Sequence, residues 1–275
     1  MRTLLLLSLC APAMAQAPAP ADPAETLDSL RLVLGASLTH GPVYFGQRRS
    51  EWGLKPMVAL RWGWLRIGNS GAGGLIGEAN AGGASADLLT TPDWRLRAGL
   101  RLDRGRHLSA ADSQRLAELP DVRGTLRARL TLSRRLGADA SWNLSTAPDL
   151  FGRGGGTQLQ LGYYRRLTEL DAAAGIGGQW SLGASLSGGD ERYMQSYFGV
   201  PEGVSEGLRL PAYQAEGGLR DATLSLNWQR ALGTDASWML LAGVSVQQLL
   251  GPAGKSPIVE RRSSFSARLG LAWRY

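Results

Sequence analysis

Cysteine, lysine and histidine are nearly missing from this chain. Its 275 residues include 1 Cys and 2 His. Lys55 and Lys255 are the only lysines, so the 30 basic residues are almost all arginine. A single Cys10 rules out an internal disulfide. His40 and His107 alone give no metal cluster of usable spacing. The shortage of lysine argues against a nucleic-acid binder, which mixes Lys and Arg in patches. No apolar run of about 18 residues occurs beyond the N-terminus, which excludes a helical membrane protein. Disorder is excluded as well, because 44% of the chain is apolar. What the chain has in excess is glycine, with 37, and tryptophan, with 9 against 4 Phe.

The N-terminus reads as an export signal. Arg2 supplies the positive end, Leu4 to Leu9 the short apolar core, and Ala13-Met14-Ala15 a cleavage site before Gln16. Leu9 is too bulky to precede a lipidated cysteine, so Cys10 is read as part of the signal. Removing residues 1–15 leaves no cysteine and lowers the net charge from +7 to +6. Residues 16–27, rich in Ala and Pro, are expected to form a flexible periplasmic leader. Residues 28–275 are expected to form one domain.

That domain alternates with a period of two. Arg123, Thr125, Arg127, Arg129, Thr131 and Ser133 alternate with Gly124, Leu126, Ala128, Leu130 and Leu132. Trp94, Leu96, Ala98, Leu100 and Leu102 alternate with Arg95, Arg97, Gly99, Arg101 and Asp103. The same pattern recurs over 180–187, 221–228 and 265–275. Alternation of this kind means a strand with one apolar and one polar face. In an exported chain, strands of about 9–11 residues point to a transmembrane β-barrel. A soluble β-sandwich also alternates, but its strands run about 5–6 residues. Trp62, Trp94, Trp142, Trp180, Trp228, Trp238 and Trp273 share the apolar faces and sit near strand ends, as in an aromatic girdle at one interface.

The expected architecture is all-β, an antiparallel barrel. Strands are placed near 29–38, 55–62, 64–73, 81–89, 94–103, 122–134, 140–148, 157–167, 179–187, 214–230, 237–249 and 264–275. That makes twelve, or ten if 64–73 and 81–89, blurred by Gly and Ala, are not strands. Short turns at Gly63, 91–93, 136–142 and 232–238 lie on the Trp side, which makes that side periplasmic. Long polar connections at 39–55, 104–121, 188–213 and 250–263 lie outside, with a short capped helix at Ser109, Asp112, Leu116 and Leu119.

Several segments resemble the MipA/OmpV family of outer-membrane proteins. They are Ser196-Tyr197-Phe198-Gly199-Val200, Ser205-Glu206-Gly207-Leu208, Pro211 to Gly218, Gly105-Arg106, Leu119-Pro120-Asp121-Val122 and Lys255 to Val259. The chain departs from the family pattern at Glu118-Leu119-Pro120 and at Lys255, where the family carries an acid. Leu269, Leu271, Trp273 and Tyr275 look like the barrel-insertion signal of outer-membrane proteins. The resemblance implies the outer membrane, with its lipid and lipopolysaccharide, and the barrel-assembly machinery. It also implies a scaffold that joins a murein lytic transglycosylase to a bifunctional murein synthase, while other members of the family are linked to osmotic response or adhesion.

No enzyme is expected. His107 beside Ser109, with Asp103 or Asp112 to orient the ring, lacks the arrangement of outer-membrane phospholipases, and His40 is placed in an outer loop. The glycine-rich stretches 152–156 and 175–178 follow no strand–helix unit, so no cofactor or phosphate cradle is read. Besides the scaffold, an adhesive surface at 188–213 with Tyr193, Tyr197 and Phe198 is open, and so is a solute pathway. If apolar positions face lipid, then Arg31, Arg61, Arg95, Arg97, Arg101, Arg123, Arg127, Arg129, Arg268 and Arg274 line the lumen, against Asp103 and Asp221. This predicts a narrow or plugged barrel, weakly anion-selective if it conducts.

Overall fold

A computed structural model describes residues 30–69, 82–106, 119–173, 175, 177–203, 210–233 and 236–275. The export signal, the leader, His107, the helix expected after Ser109, residues 70–73 of one strand and Ser205 to Leu208 lie outside them.

Twelve strands form: β1 (Leu30–Pro42), β2 (Ser50–Trp62), β3 (Leu65–Gly68), β4 (Gly83–Thr90), β5 (Trp94–Asp103), β6 (Thr125–Leu136), β7 (Ala140–Pro148), β8 (Thr157–Arg166), β9 (Gln179–Gly189), β10 (Gly218–Leu232), β11 (Trp238–Leu249) and β12 (Ser263–Arg274). Each pairs antiparallel with the next, and β12 closes on β1, so the sheet has no edge. Twelve, not ten, is the count, and 64–73 and 81–89 do supply strands. The first outer connection is shorter than the sequence suggests. β2 begins at Ser50, and only 43–49 bridge β1 to β2. Pro56, inside β2, sits opposite Ala36 in the ladder. On its other flank the Asn69 side chain donates to the Pro56 carbonyl at 2.6 Å, standing in for a strand neighbour.

The outer face is apolar and exposed: Leu54, Leu102, Leu224 and Leu269 each show more than half their surface. In water such a band would aggregate. Against lipid it is the stable choice, because barrel closure satisfies every ladder hydrogen bond. The seven tryptophans gather at one end of the barrel. Trp94 packs edge-on against Trp142 at 5.6 Å, Trp180 and Trp228 face each other across β9 and β10, and Trp238 faces Trp273 across β11 and β12. Most turns at this end are tight; in 137–139, for example, Gly137 takes φ +75°, a conformation that favours glycine. The exception is 167–178, which carries the short helix α1 (Thr168–Ala173).

The opposite end carries the longer connections, whose described residues include the helices α2 (Glu191–Phe198) and α3 (Gly251–Lys255). The interior is uneven around its circumference. Val33, Met57, Ala59, Leu241 and Ala272 pack inward from β1, β2, β11 and β12 as a small apolar core. On the β3–β6 wall the inward residues are mainly arginine, serine and threonine.

Candidate functional site

The longer connections fold over the barrel mouth as a lid. Asp190 caps α2 by accepting from the Tyr193 N–H at 2.8 Å. The helix then turns Tyr193, Met194, Tyr197 and Phe198 to one side, at the i, i+1, i+4, i+5 spacing of a buried helical face. They pack with Tyr44, Leu119, Val122, Val200, Leu210, Leu249, Ala253 and Ile258, drawn from four connections and the end of β11. Tyr193, Tyr197 and Phe198 are 1%, 4% and 0% exposed, so they do not form the adhesive outer surface expected of them. The sequence held a signal for this inversion: an Asp cap followed by an apolar stripe at helical period.

Beneath the lid, buried charges join it to the wall. Arg127 on β6 is wholly buried. Its Nε donates to Asp103 at 2.6 Å, Nη1 to the carbonyls of Ala147 (3.1 Å) and Gly156 (2.8 Å), and Nη2 to that of Gly155 (2.7 Å). The Tyr197 hydroxyl donates to the same Asp103 carboxylate at 3.2 Å, tying α2 to β5. Arg106 donates to the carbonyls of Tyr197 (3.0 Å) and Pro120 (2.9 Å). Across the chamber, a bulge between Leu219 and Asp221 lets the neighbours Arg220 and Asp221 bond to each other. Arg220 also reaches the Tyr193 hydroxyl and stacks over Phe45 at 4.7 Å. Burial pushes the Tyr193 phenol above its ordinary range despite this guanidinium. Beside the lid, burial works against the Asp149 carboxylate. Bonds from the Thr125 hydroxyl and the N–H groups of Gly155 and Phe151 outweigh it and hold the carboxyl below its usual range.

Between lid and wall lies a polar cavity of ≈ 90 Å³. Arg101, Arg129, Asp103, Arg220 and Asp221 reach it, with Tyr193 and Tyr197 as part of its roof.

The other arginines of the predicted ladder are spread more widely. Arg31 and Arg61 are cross-strand partners on β1 and β2, and Arg61 is in turn opposite Arg66 on β3. Arg97 and Arg66 share Asp87, at 3.1 and 2.8 Å. Arg95 lies next to this group. Arg268 is half-buried on β12, opposite Thr39 and Gly243. Arg274 is exposed at the Trp-ringed rim, 3.4 Å from the Ala236 carbonyl. Arg123 is a correction: β6 starts at Thr125, and Arg123 is exposed in the preceding connection rather than inside a strand. The alternation runs two residues past the strand, so pattern alone overextended it. Arg66 and Asp87 were missed, because Gly and Ala blur the pattern around their short strands. Arg220 was missed because a bulge shifts its parity. His40 lies at the end of β1 rather than in a loop, its ring 4.8 Å from Trp52. Leu269 and Leu271 point outward, while Trp273 and Tyr275 stack at 5.9 Å at the chain's end.

The family model described as MltA-interacting protein MipA matches residues 34–275. The chain belongs to this family. It is an outer-membrane β-barrel protein. Barrels of this kind place short turns in the periplasm and long connections outside, a rule that assigns the Trp-ringed turns to the periplasm and the lid to the exterior. No curated protein matches its sequence. Among solved structures, the CymD monoaromatic hydrocarbon channel is 12% identical, with a TM-score of 0.43, over 90% of this chain and 88% of that one. The NanC porin is 11% identical, with a TM-score of 0.37, over 89% and 99%. OprD from Pseudomonas aeruginosa is 10% identical, with a TM-score of 0.35, over 96% of each. Scores this low carry nothing about what the MipA-family barrel does.

Proposed function

We propose that this protein is a non-enzymatic outer-membrane scaffold that holds murein synthesis and turnover enzymes against the inner leaflet. The observation that carries this reading is the match of nearly the whole described barrel to a family named for interaction with a lytic transglycosylase. The closed outer end agrees with it: an apolar lid tied to the wall by Arg127, Asp103 and Tyr197 suits an anchor better than an open pore. On the periplasmic side, the partner surface consists of α1 with its flanking turn, the tight turns and the rim. A standard interface needs about 800 Å² per side, and these turns with the rim are the surface offered for it. His40, against Trp52 with no hydrogen bond at its Nδ1, is a poor candidate for an oriented base.

The test is reconstitution. The purified barrel is immobilised, and a murein lytic transglycosylase and a bifunctional murein synthase are passed over it, singly and together. Retention of the transglycosylase, and of the synthase through it, is expected; retention of neither ends the reading.

A second reading, a narrow anion-selective pathway, draws on the arginines of the β3–β6 wall and the chamber above them. It requires the lid to move.

A further inference from the structure

We infer that the chamber under the lid is a binding site for a phosphate-class oxyanion, held between Arg101 and Arg129. Size comes first. The cavity measures ≈ 90 Å³, whereas an engineered cavity of about 150 Å³ takes a benzene ring. It therefore suits a single compact group rather than a peptide or an oligosaccharide.

Charge sets the sign. The two carboxylates on the chamber wall are engaged: Asp103 by Arg127 and Tyr197, Asp221 by Arg220. Arg101 shows no hydrogen bond among the described residues, although its side chain reaches the chamber. Arg101 is opposite Arg127 in the ladder and Gly99 is opposite Arg129, so Arg101 and Arg129 are diagonal neighbours on adjacent strands. Two guanidiniums at that spacing bracket one anion, and their planar forks match phosphate oxygens. Gln158, Ser145 and Ser187 add neutral donors around the same space.

The positive excess continues toward the periplasmic end. A smaller cavity of ≈ 10 Å³ shares Arg101 and Arg129 with the chamber and extends to Ser85 and Arg97. Just below, Arg66 is 2% exposed and has no partner at Nε or Nη1. The Ser85 hydroxyl and Arg95 Nε are likewise buried without partners. All four atoms can donate, and they lie on the adjacent strands β3, β4 and β5. Asp87, shared by Arg66 and Arg97, neutralises one of these charges. With the lid closing the far end, the anion arrives from the periplasm along this wall. The site gives the pathway reading a resting place for its ion but needs no through-path. Binding with no conductance even after removal of the lid keeps the site and removes the pathway, and the scaffold reading is separate from both.

The experiment is isothermal titration of the full barrel in detergent with inorganic phosphate, at constant ionic strength, and with glucose 1-phosphate in a second arm. One saturable phosphate per barrel is expected, weakened about tenfold or more in Arg101→Gln and in Arg129→Gln. It should be unchanged in Arg192→Gln, whose parent side chain is exposed on α2. Heat from the ester as well means the site receives a phosphate group carried on a larger molecule; heat from the free ion alone means an enclosed site. Should Arg101→Gln fail to fold, Arg101→Lys keeps the charge but loses the fork and is expected to bind more weakly. The inference is overturned if the unaltered barrel binds neither ligand, or if the folded arginine variants bind phosphate as tightly as it does.

Discussion

Arg127 and Asp103 form a 2.6 Å ion pair at the level where the barrel wall meets the lid, with the guanidinium wholly buried. Removing one partner of such a pair leaves an uncompensated buried charge, at a cost of about 3–5 kcal/mol. Asp103→Asn is therefore expected to lower the urea midpoint and to speed proteolysis within 190–217, with strand content by circular dichroism retained. Arg127→Lys should move the same way, because one ammonium cannot reach Asp103 and three carbonyls together.

The lid is expected to control conductance. In a planar bilayer the intact barrel should pass little current. A variant lacking 191–216 should conduct, and its reversal potential under a KCl gradient should show an anion preference from the arginine wall. A clear cation preference would remove the electrostatic reading of the interior. Phe198→Ala, which truncates a side chain with no exposure, should loosen the lid by about 3–5 kcal/mol and raise the frequency of brief openings.

Acid should loosen the connection at 149–156. The Asp149 carboxyl is depressed, so its contribution is present above the ordinary carboxylate pKa of about 3.9. That contribution is lost as pH falls through the lower folded value. Protection of the Phe151 and Gly155 N–H groups, which bond to this carboxylate, measured against their intrinsic exchange rates, should therefore fall below about pH 4. In Asp149→Asn the protection should be low already at neutral pH and should not change further on acidification.

The barrel was legible because lipid outside and polar groups inside force a period of two, and tryptophan marked one end of the strands. Twelve strands, their pairing order and the lipid-facing residues follow from that rule. Legibility failed where the rule lapses. The bulge at Leu219–Asp221 breaks parity and hid Arg220. The short β3 and β4, with Gly and Ala in and around them, hid Arg66 and Asp87. The lid belongs to another code. Tyr193, Tyr197 and Phe198 follow a helical stripe whose burial depends on contacts with Tyr44, Leu119 and Ile258, far away in sequence. Local patterning could show the helix but not what it would cover. Parity along single strands also missed that β1, β2, β11 and β12 turn Val33, Met57, Leu241 and Ala272 inward as an apolar core.

The scaffold reading is tested most directly by site-specific photo-cross-linking in cells. A cross-linker is placed at Glu169, exposed on α1 at the periplasmic end, and separately at Arg192, exposed on the lid. The account predicts that Glu169 yields an adduct with a murein lytic transglycosylase and that Arg192 does not. Absence of any murein enzyme from the Glu169 adducts, and from those of a cross-linker at Ala138 in the neighbouring turn, would contradict it.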